Sequence, residues 1–400
     1  MKRDRSAENH AQRKAVRWAL AAFAVVAPIA APMMASAMAE TGPAVTAAIE
    51  RGAKLSLRGE WSEAERAFAG IRALDPTHPA GAYFPAQVLH WRQYEDELDP
   101  RLHAPLVEAL ERAVGLAERR IEANDDDAEA YLYGGQALIE LGRHLALTGH
   151  VVSGGSKGED GREWLERALA LEPDRADAAC PLGAYYYFAS LVPRAAKMLD
   201  WLWFVPKGDH DRGLALLARC REDSRLRSLE ARWLLFYIQG RFESPPPPEA
   251  LEMGRSLRAE FPDNAVIHAE LARLLLHRGA LDDAIDEARR VEARVLAGDA
   301  TYDAKIGNLA RHWRARAQLL QGDLDGALAT VERIDPAGPP YWIGAWRLLT
   351  RAQVADLRGE RTKALGLYER IIDLDERDDI STAVAAARRC IEAPCRNPSP

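Results

Sequence analysis

Several things are scarce in this 400-residue chain, and each scarcity excludes something. Runs of β-branched residues are few, which argues against a core built from sheets. Beyond residue 39 no run is long and apolar enough to cross a bilayer, which takes about 20 consecutive apolar residues. Positive charge is not in excess: 53 Lys and Arg face 60 Asp and Glu, a net of −7. Residues 1–39 hold six Lys/Arg and two Asp/Glu, so the remainder carries −11. An acidic body argues against nucleic acid as the ligand. Only four cysteines occur, Cys180, Cys220, Cys390 and Cys395, at spacings that make no zinc site.

Catalytic signatures are missing as well. The histidines are scattered, and none sits in an HExxH pattern. There is no GxSxG, and no cysteine lies in a nucleophile motif. Gly154-Gly155-Ser156-Lys157 lacks the glycine spacing and preceding strand of a phosphate loop. Asn124–Asp127 reads as a helix cap rather than a metal site, because carboxylates favour a helix N-terminus. Carboxylates elsewhere sit on solvated helix faces, as in the i,i+4 pair Glu163/Arg167. No catalytic residue, cofactor or metal is expected, and the chain reads as a non-enzyme.

What is abundant is Ala, Leu, Arg and Glu, an all-helical profile. The pattern is clearest in Gly59–Pro76, GEWSEAERAFAGIRALDP. Ala64, Phe68 and Ile71 share one helix face, and Pro76 ends the helix. Gly52 lies twelve residues before Ala64, on a preceding helix that stops near Gly59. The phrase recurs. Gly161, Leu165, Ala168 and Pro173 keep its offsets, as do Gly213, Leu217 and Cys220. Further on come Ala250/Pro262, Gly279/Ala284, Gly322/Ala327/Pro336 and Gly359/Ala364/Tyr368. The small residues Ala250, Ala284, Ala327 and Ala364 step by 34, 43 and 37.

On these residues the chain resembles the tetratricopeptide-repeat family, whose period is 34 residues. YLYGG, WLERALALEPDRADA and LGAYYYF are similar to uncharacterised exported bacterial proteins of that type. The resemblance covers residues 43–377 as seven repeat-like units, four of them well formed. It implies an all-α, right-handed α-solenoid of antiparallel helix pairs whose concave face binds a protein or peptide segment. Residues 378–393 read as a helix capping the stack, and 394–400 as a disordered tail.

The N-terminus reads as a signal peptide over 1–39, with a basic start, an apolar Trp18–Ala31 and Ala37-Met38-Ala39 before the cut. Export to the periplasm follows, with an uncleaved membrane anchor as the rival. Two insertions are expected: a flexible Gly/Ser-rich loop at 149–160, and 191–210. In the second, Trp201, Leu202, Trp203 and Phe204 either fill the groove or contact a partner or membrane surface. Of Tyr185, Tyr186, Tyr187 and Phe188, about two are expected in the core. Cys180–Cys220 and Cys390–Cys395 are the two disulfides an exported chain permits. The leading expectation is a non-catalytic envelope scaffold. The rivals are a small-ligand receptor or enzyme using the groove, and a membrane-associated assembly factor.

Overall fold

The computed structural model describes residues 31–94, 99–191, 208–374, 383–396 and 398, with side chains from residue 42. The chain forms two compact units, Met1–Val45 and Thr46–Pro400. Of the first, the described part is the beginning of α1 (Ala31–Leu57). Everything below concerns the second.

Among the described residues there are 17 α-helices, one 3₁₀ turn and no strand. They run as eight antiparallel pairs and a last helix, one pair more than the seven units legible in the sequence. The pairs are α1 with α2 (Trp61–Leu74), α3 (Ala80–Gln93) with α4 (Pro100–Ala123), and α5 (Ala128–Leu147) with α6 (Val151–Leu171). Next come α7 (Ala179–Ser190) with α8 (His210–Asp223), and α9 (Ser228–Arg241) with α10 (Pro248–Glu260). The last are α11 (Ala265–His277) with α12 (Leu281–Leu296), α13 (Ala304–Gln321) with α14 (Leu324–Val331), and α15 (Ile343–Leu357) with α16 (Arg361–Ile372). α17 (Ala383–Glu392) closes the stack. Each helix packs on its neighbours in sequence, which is the α-solenoid of helix pairs expected.

The repeat residues do what their chemistry suggests. Gly59, Gly279, Gly322 and Gly359 turn one helix into the next at φ of 77°, 75°, 84° and 78°. That left-handed conformation is free only to glycine. Ala64, Ala250, Ala284, Ala327 and Ala364 are wholly buried, where a larger side chain would push the helices apart. A Cβ on Gly52 would lie 2.2 Å from the Phe68 ring, so the first pair closes on an aromatic seated over a glycine. Pro76, Pro173, Pro262 and Pro336 each follow the end of a second helix. Asp127, Asn264, Asp303 and Asp323 cap α5, α11, α13 and α14 by accepting from backbone N–H groups. Asp127 is the end of the acidic run read as a cap. Fully buried Phe68, Ile71, Leu106 and Leu165 each contribute about 1.5–3 kcal/mol of transfer free energy.

Four expectations are corrected. Residues 151–160 are not a flexible loop but the first half of α6. The turn is confined to 148–150, with Gly149 at φ 92°. The glycines pack rather than flex: a Cβ on Gly154 would meet the Gly142 carbonyl oxygen at 2.6 Å, and one on Gly161 the Gly135 carbonyl oxygen at 2.6 Å. Helical glycines let α5 and α6 approach backbone to backbone. Cys180–Cys220 is a disulfide, but Cys390 and Cys395 are buried free thiols. The tail is not disordered at its start, because Cys395 is buried and its N–H donates to Asp356 at 2.9 Å. Tyr185, Tyr186 and Tyr187 are all buried, not two of four, because each hydroxyl reaches a carboxylate, of Glu159, Glu166 and Glu243. Insertion 191–210 and Trp201–Phe204 fall mostly in 192–207, outside the described residues. α17 lies within the expected cap and buries Val384, Ala387 and Cys390 against Tyr368 and Ile371.

Candidate functional site on the inner face

The first helices of the pairs carry polar and aromatic residues at helical spacing. On α3 they are Tyr83, Gln87, His90 and the C-cap Tyr94, at offsets 0, 4, 7 and 11. On α9 they are Arg227 at the N-cap, Glu230, Tyr237 and Arg241. These rows face one another because the array returns on itself. Asn264 Nδ2 donates to the Leu57 carbonyl at 2.6 Å, a contact between residues 207 apart. Tyr94 Oη donates to Glu270 at 2.6 Å, and Lys305 Nζ to the Arg92 carbonyl at 2.8 Å. Trp91 packs against Trp233 with ring centroids 5.1 Å apart and the planes tilted by 41°. Leu57 and Tyr94 join the core of the sixth and seventh pairs. The inner face here is therefore a recess among the first, second, third, fifth and sixth pairs, not an open trough.

A polar network fills the recess between α3, α5 and α9. Glu140 accepts from Tyr83 Oη at 2.6 Å and from Gln87, and lies 2.9 Å from His90 Nδ1. Arg227 donates to Gln136 at 2.7 Å and to Glu230 at 3.1 Å. Its guanidinium lies about 6 Å from the ring centroids of Tyr83, Phe84 and Tyr133, close enough for cation–π attraction. Burial pushes the Glu140 carboxyl up, but His90 and Tyr83 outweigh it and hold it below its usual value. Burial lifts Glu230, with Glu140 and Asp177 adding to it and Arg227 opposing. Yet 35% of the Glu230 side chain is accessible, so its carboxyl faces the recess rather than packed core. Deeper along the array, Glu270 is clamped by Arg241 and Arg273, both at 2.9 Å.

α1 reaches this region through Leu57, which accepts from Asn264, and through Glu50. Ala47, Glu50, Arg51, Lys54, Leu55 and Arg58 line a groove of about 450 Å³. Glu50 reaches Arg225, just ahead of α9, at 3.4 Å.

Chemically, the recess offers hydrogen bonds, charge and aromatic faces. The Tyr83 hydroxyl and His90 Nδ1 both serve Glu140, whereas His90 Nε2 is buried with no hydrogen-bond partner among the described residues. No group of three or more His, Cys, Asp or Glu among the described residues is placed to hold a metal ion. The repeat-signature residues named from sequence are the frame of the pairs, not the recess. The recess residues themselves went unnamed, though polar residues at i, i+4, i+7 on α3 were the available signal. Trp342 is buried beside His312 and Trp313.

No protein-family profile matches the chain, and no curated protein does. Among solved structures it is similar to the crystal structure of yeast Tom70, at 12% identity and a TM-score of 0.39. That similarity covers 88% of this chain and 82% of that one. The helix-pair fold rests on the packing described above.

Proposed function

We propose that the chain is a non-catalytic scaffold that binds a segment of another protein on its inner face, after export to the periplasm and cleavage behind Ala39. One observation carries the reading: the first helices α3, α5 and α9 present polar and aromatic side chains to a shared recess, while the second helices and their small residues are spent on packing. Such a surface meets an extended or helical segment through several independent contacts. The walls are held by buried bonds, so binding needs little rearrangement, and a rigid surface loses less entropy.

The test is photo-crosslinking. Peptides selected from a random display library on the full chain are offered to proteins carrying a photo-crosslinker at Ala47 or Lys54, inside, or at Arg112, outside. Crosslinks from the inner sites alone support the reading. Crosslinks confined to Arg112, or no selected peptide, reject it. N-terminal sequencing of the chain made in its own cell checks export, with Glu40 as the expected first residue.

A second reading has its own support. Tyr83, Gln87, His90, Gln136, Glu140, Arg227 and Glu230 converge from three elements, as in a small-ligand pocket. A metabolite that raises the melting temperature and loses this effect on Glu230→Gln would favour it.

A further inference from the structure

The groove on α1 carries a row of basic side chains along one helix face. Arg51, Lys54 and Arg58 are exposed and lie on one helix face at offsets 0, 3 and 7. At about 1.5 Å of rise per residue they span about 10 Å. None has a carboxylate partner among the described residues. The only acidic residue in the lining, Glu50, is occupied by Arg225. The chain as a whole is acidic, at −7, and its other exposed arginines are commonly paired: Arg66 with Glu63, Arg112 with Glu108, Arg255 with Asp283. Leu55 and Ala47 add apolar surface beside the three charges.

We propose that this groove recognises an acidic segment of a partner protein, with side-chain carboxylates repeated at helical spacing set against Arg51, Lys54 and Arg58. The inference rests on the protein-binding reading above and names the chemistry of the partner. Three cations in a row give direction and register, because carboxylates at i, i+4 and i+7 of a helix repeat about every 5 Å, the spacing of the row. Exposed ion pairs are individually weak, so selectivity comes from their number and from Leu55 beside them. Attraction of this kind weakens with salt, since the Debye length falls to about 8 Å at physiological ionic strength.

The experiment uses the full chain and three fluorescein-labelled helical peptides of one neutral framework, bearing Glu, Gln or Lys at i, i+4 and i+7. Binding is read by fluorescence anisotropy at low and high salt. The variant Arg51→Glu/Lys54→Glu/Arg58→Glu is compared with Arg112→Glu/Arg255→Glu/Arg289→Glu, which makes the same charge change on outer helices. Circular dichroism confirms that both keep their helicity. The Glu peptide is expected to bind at least about tenfold more tightly than the Gln peptide, since three exposed pairs together are worth about a decade or more. The α1 variant loses that preference and takes the Lys peptide instead, while the outer variant behaves as the original. Equal binding of the Glu peptide by both variants overturns the proposal, as does stronger binding of the Gln peptide. So does binding of phosphatidylglycerol vesicles through Arg51, Lys54 and Arg58 with no peptide preference. If library-selected peptides bind the inner face but are not acidic, only this inference falls. If no peptide of any composition binds, the scaffold reading falls with it.

Discussion

Substituting Gly154 by alanine decides whether residues 151–160 are packed helix or loop. Two effects oppose each other. In a helix, alanine is better than glycine by about 0.5–1 kcal/mol, because glycine loses more backbone freedom on folding. Against this, the new Cβ would stand 2.6 Å from the Gly142 carbonyl oxygen and 2.8 Å from the Ala146 nitrogen. Both are backbone atoms of α5, so neither yields without moving a helix. Overpacking of this kind costs about 1–3 kcal/mol. The net is a loss of about 1 kcal/mol. Gly366 in α16 supplies the control: a Cβ there meets nothing within 4 Å, so Gly366→Ala keeps the gain and loses nothing. The two variants should therefore differ by about 2 kcal/mol, with opposite signs relative to the original. Urea unfolding followed by circular dichroism reads the sign. Hydrogen exchange of the α5 and α6 amides localises it, since a repeat array unfolds in parts. If Gly154→Ala stabilises as much as Gly366→Ala, the close approach of α5 and α6 is wrong and the loop reading returns.

Two further outcomes are expected. The Cys180–Cys220 disulfide closes 40 residues of chain, and constraining the unfolded state over that length is worth about 4 kcal/mol. The chain treated with reductant, or Cys180→Ala/Cys220→Ala, should lose most of that in urea, whereas an unchanged midpoint with reduction verified by mass would refute it. Glu287 is 5% exposed and lies 2.8–3.0 Å from His268, Arg258 and Arg290. Burial pushes its carboxyl up, but His268 and the two arginines bring it down from 4.5 to about 2. A carboxylate with a lowered folded-state pKa stabilises fully above its unfolded value and loses that contribution as pH falls. The loss should run from about pH 4.5 to about 2, amounting to about 3 kcal/mol. Glu287→Gln should be less stable than the original at neutral pH and flatter across that acid range. Parallel acid curves for the two would show that Glu287 contributes nothing there.

The frame of the fold is legible in the sequence because its elements are local. A glycine between two helical patterns, a small residue five or so later and a proline at the close each act within one pair. Gly59, Ala64 and Pro76 could be placed from the chain alone, and so could the cap at Asp127, whereas the cap at Asn264 emerged only from the structure. Composition misled at 149–160, since glycine and serine usually mark a loop. Only the partner helix, with Gly135 and Gly142 facing them, turns those glycines into a close-packed seam. Cys390 and Cys395 look ready to bridge because they are five apart. Both are buried as thiols, and the tail is tied instead by the Cys395 N–H to Asp356 and by Arg361 to the Cys390 and Ile391 carbonyls.

The inner face was least legible, for a physical reason. Periodicity reports which face of a helix is buried, not what lies opposite it. The contacts that bring the ends of the array together join residues 176 to 213 positions apart, such as Tyr94 with Glu270 and Arg92 with Lys305. They follow from small rotations accumulated over several pairs, and no local spacing encodes that sum. The consequence bears on function. Opening the recess would break the Asn264–Leu57 and Tyr94–Glu270 bonds and expose core that holds Leu57 and Tyr94. Each buried group left unpaired costs about 1–3 kcal/mol. A partner that gained only a few exposed ion pairs at Arg51, Lys54 and Arg58 would not offset that, so its segment must enter the groove of α1 with the recess closed.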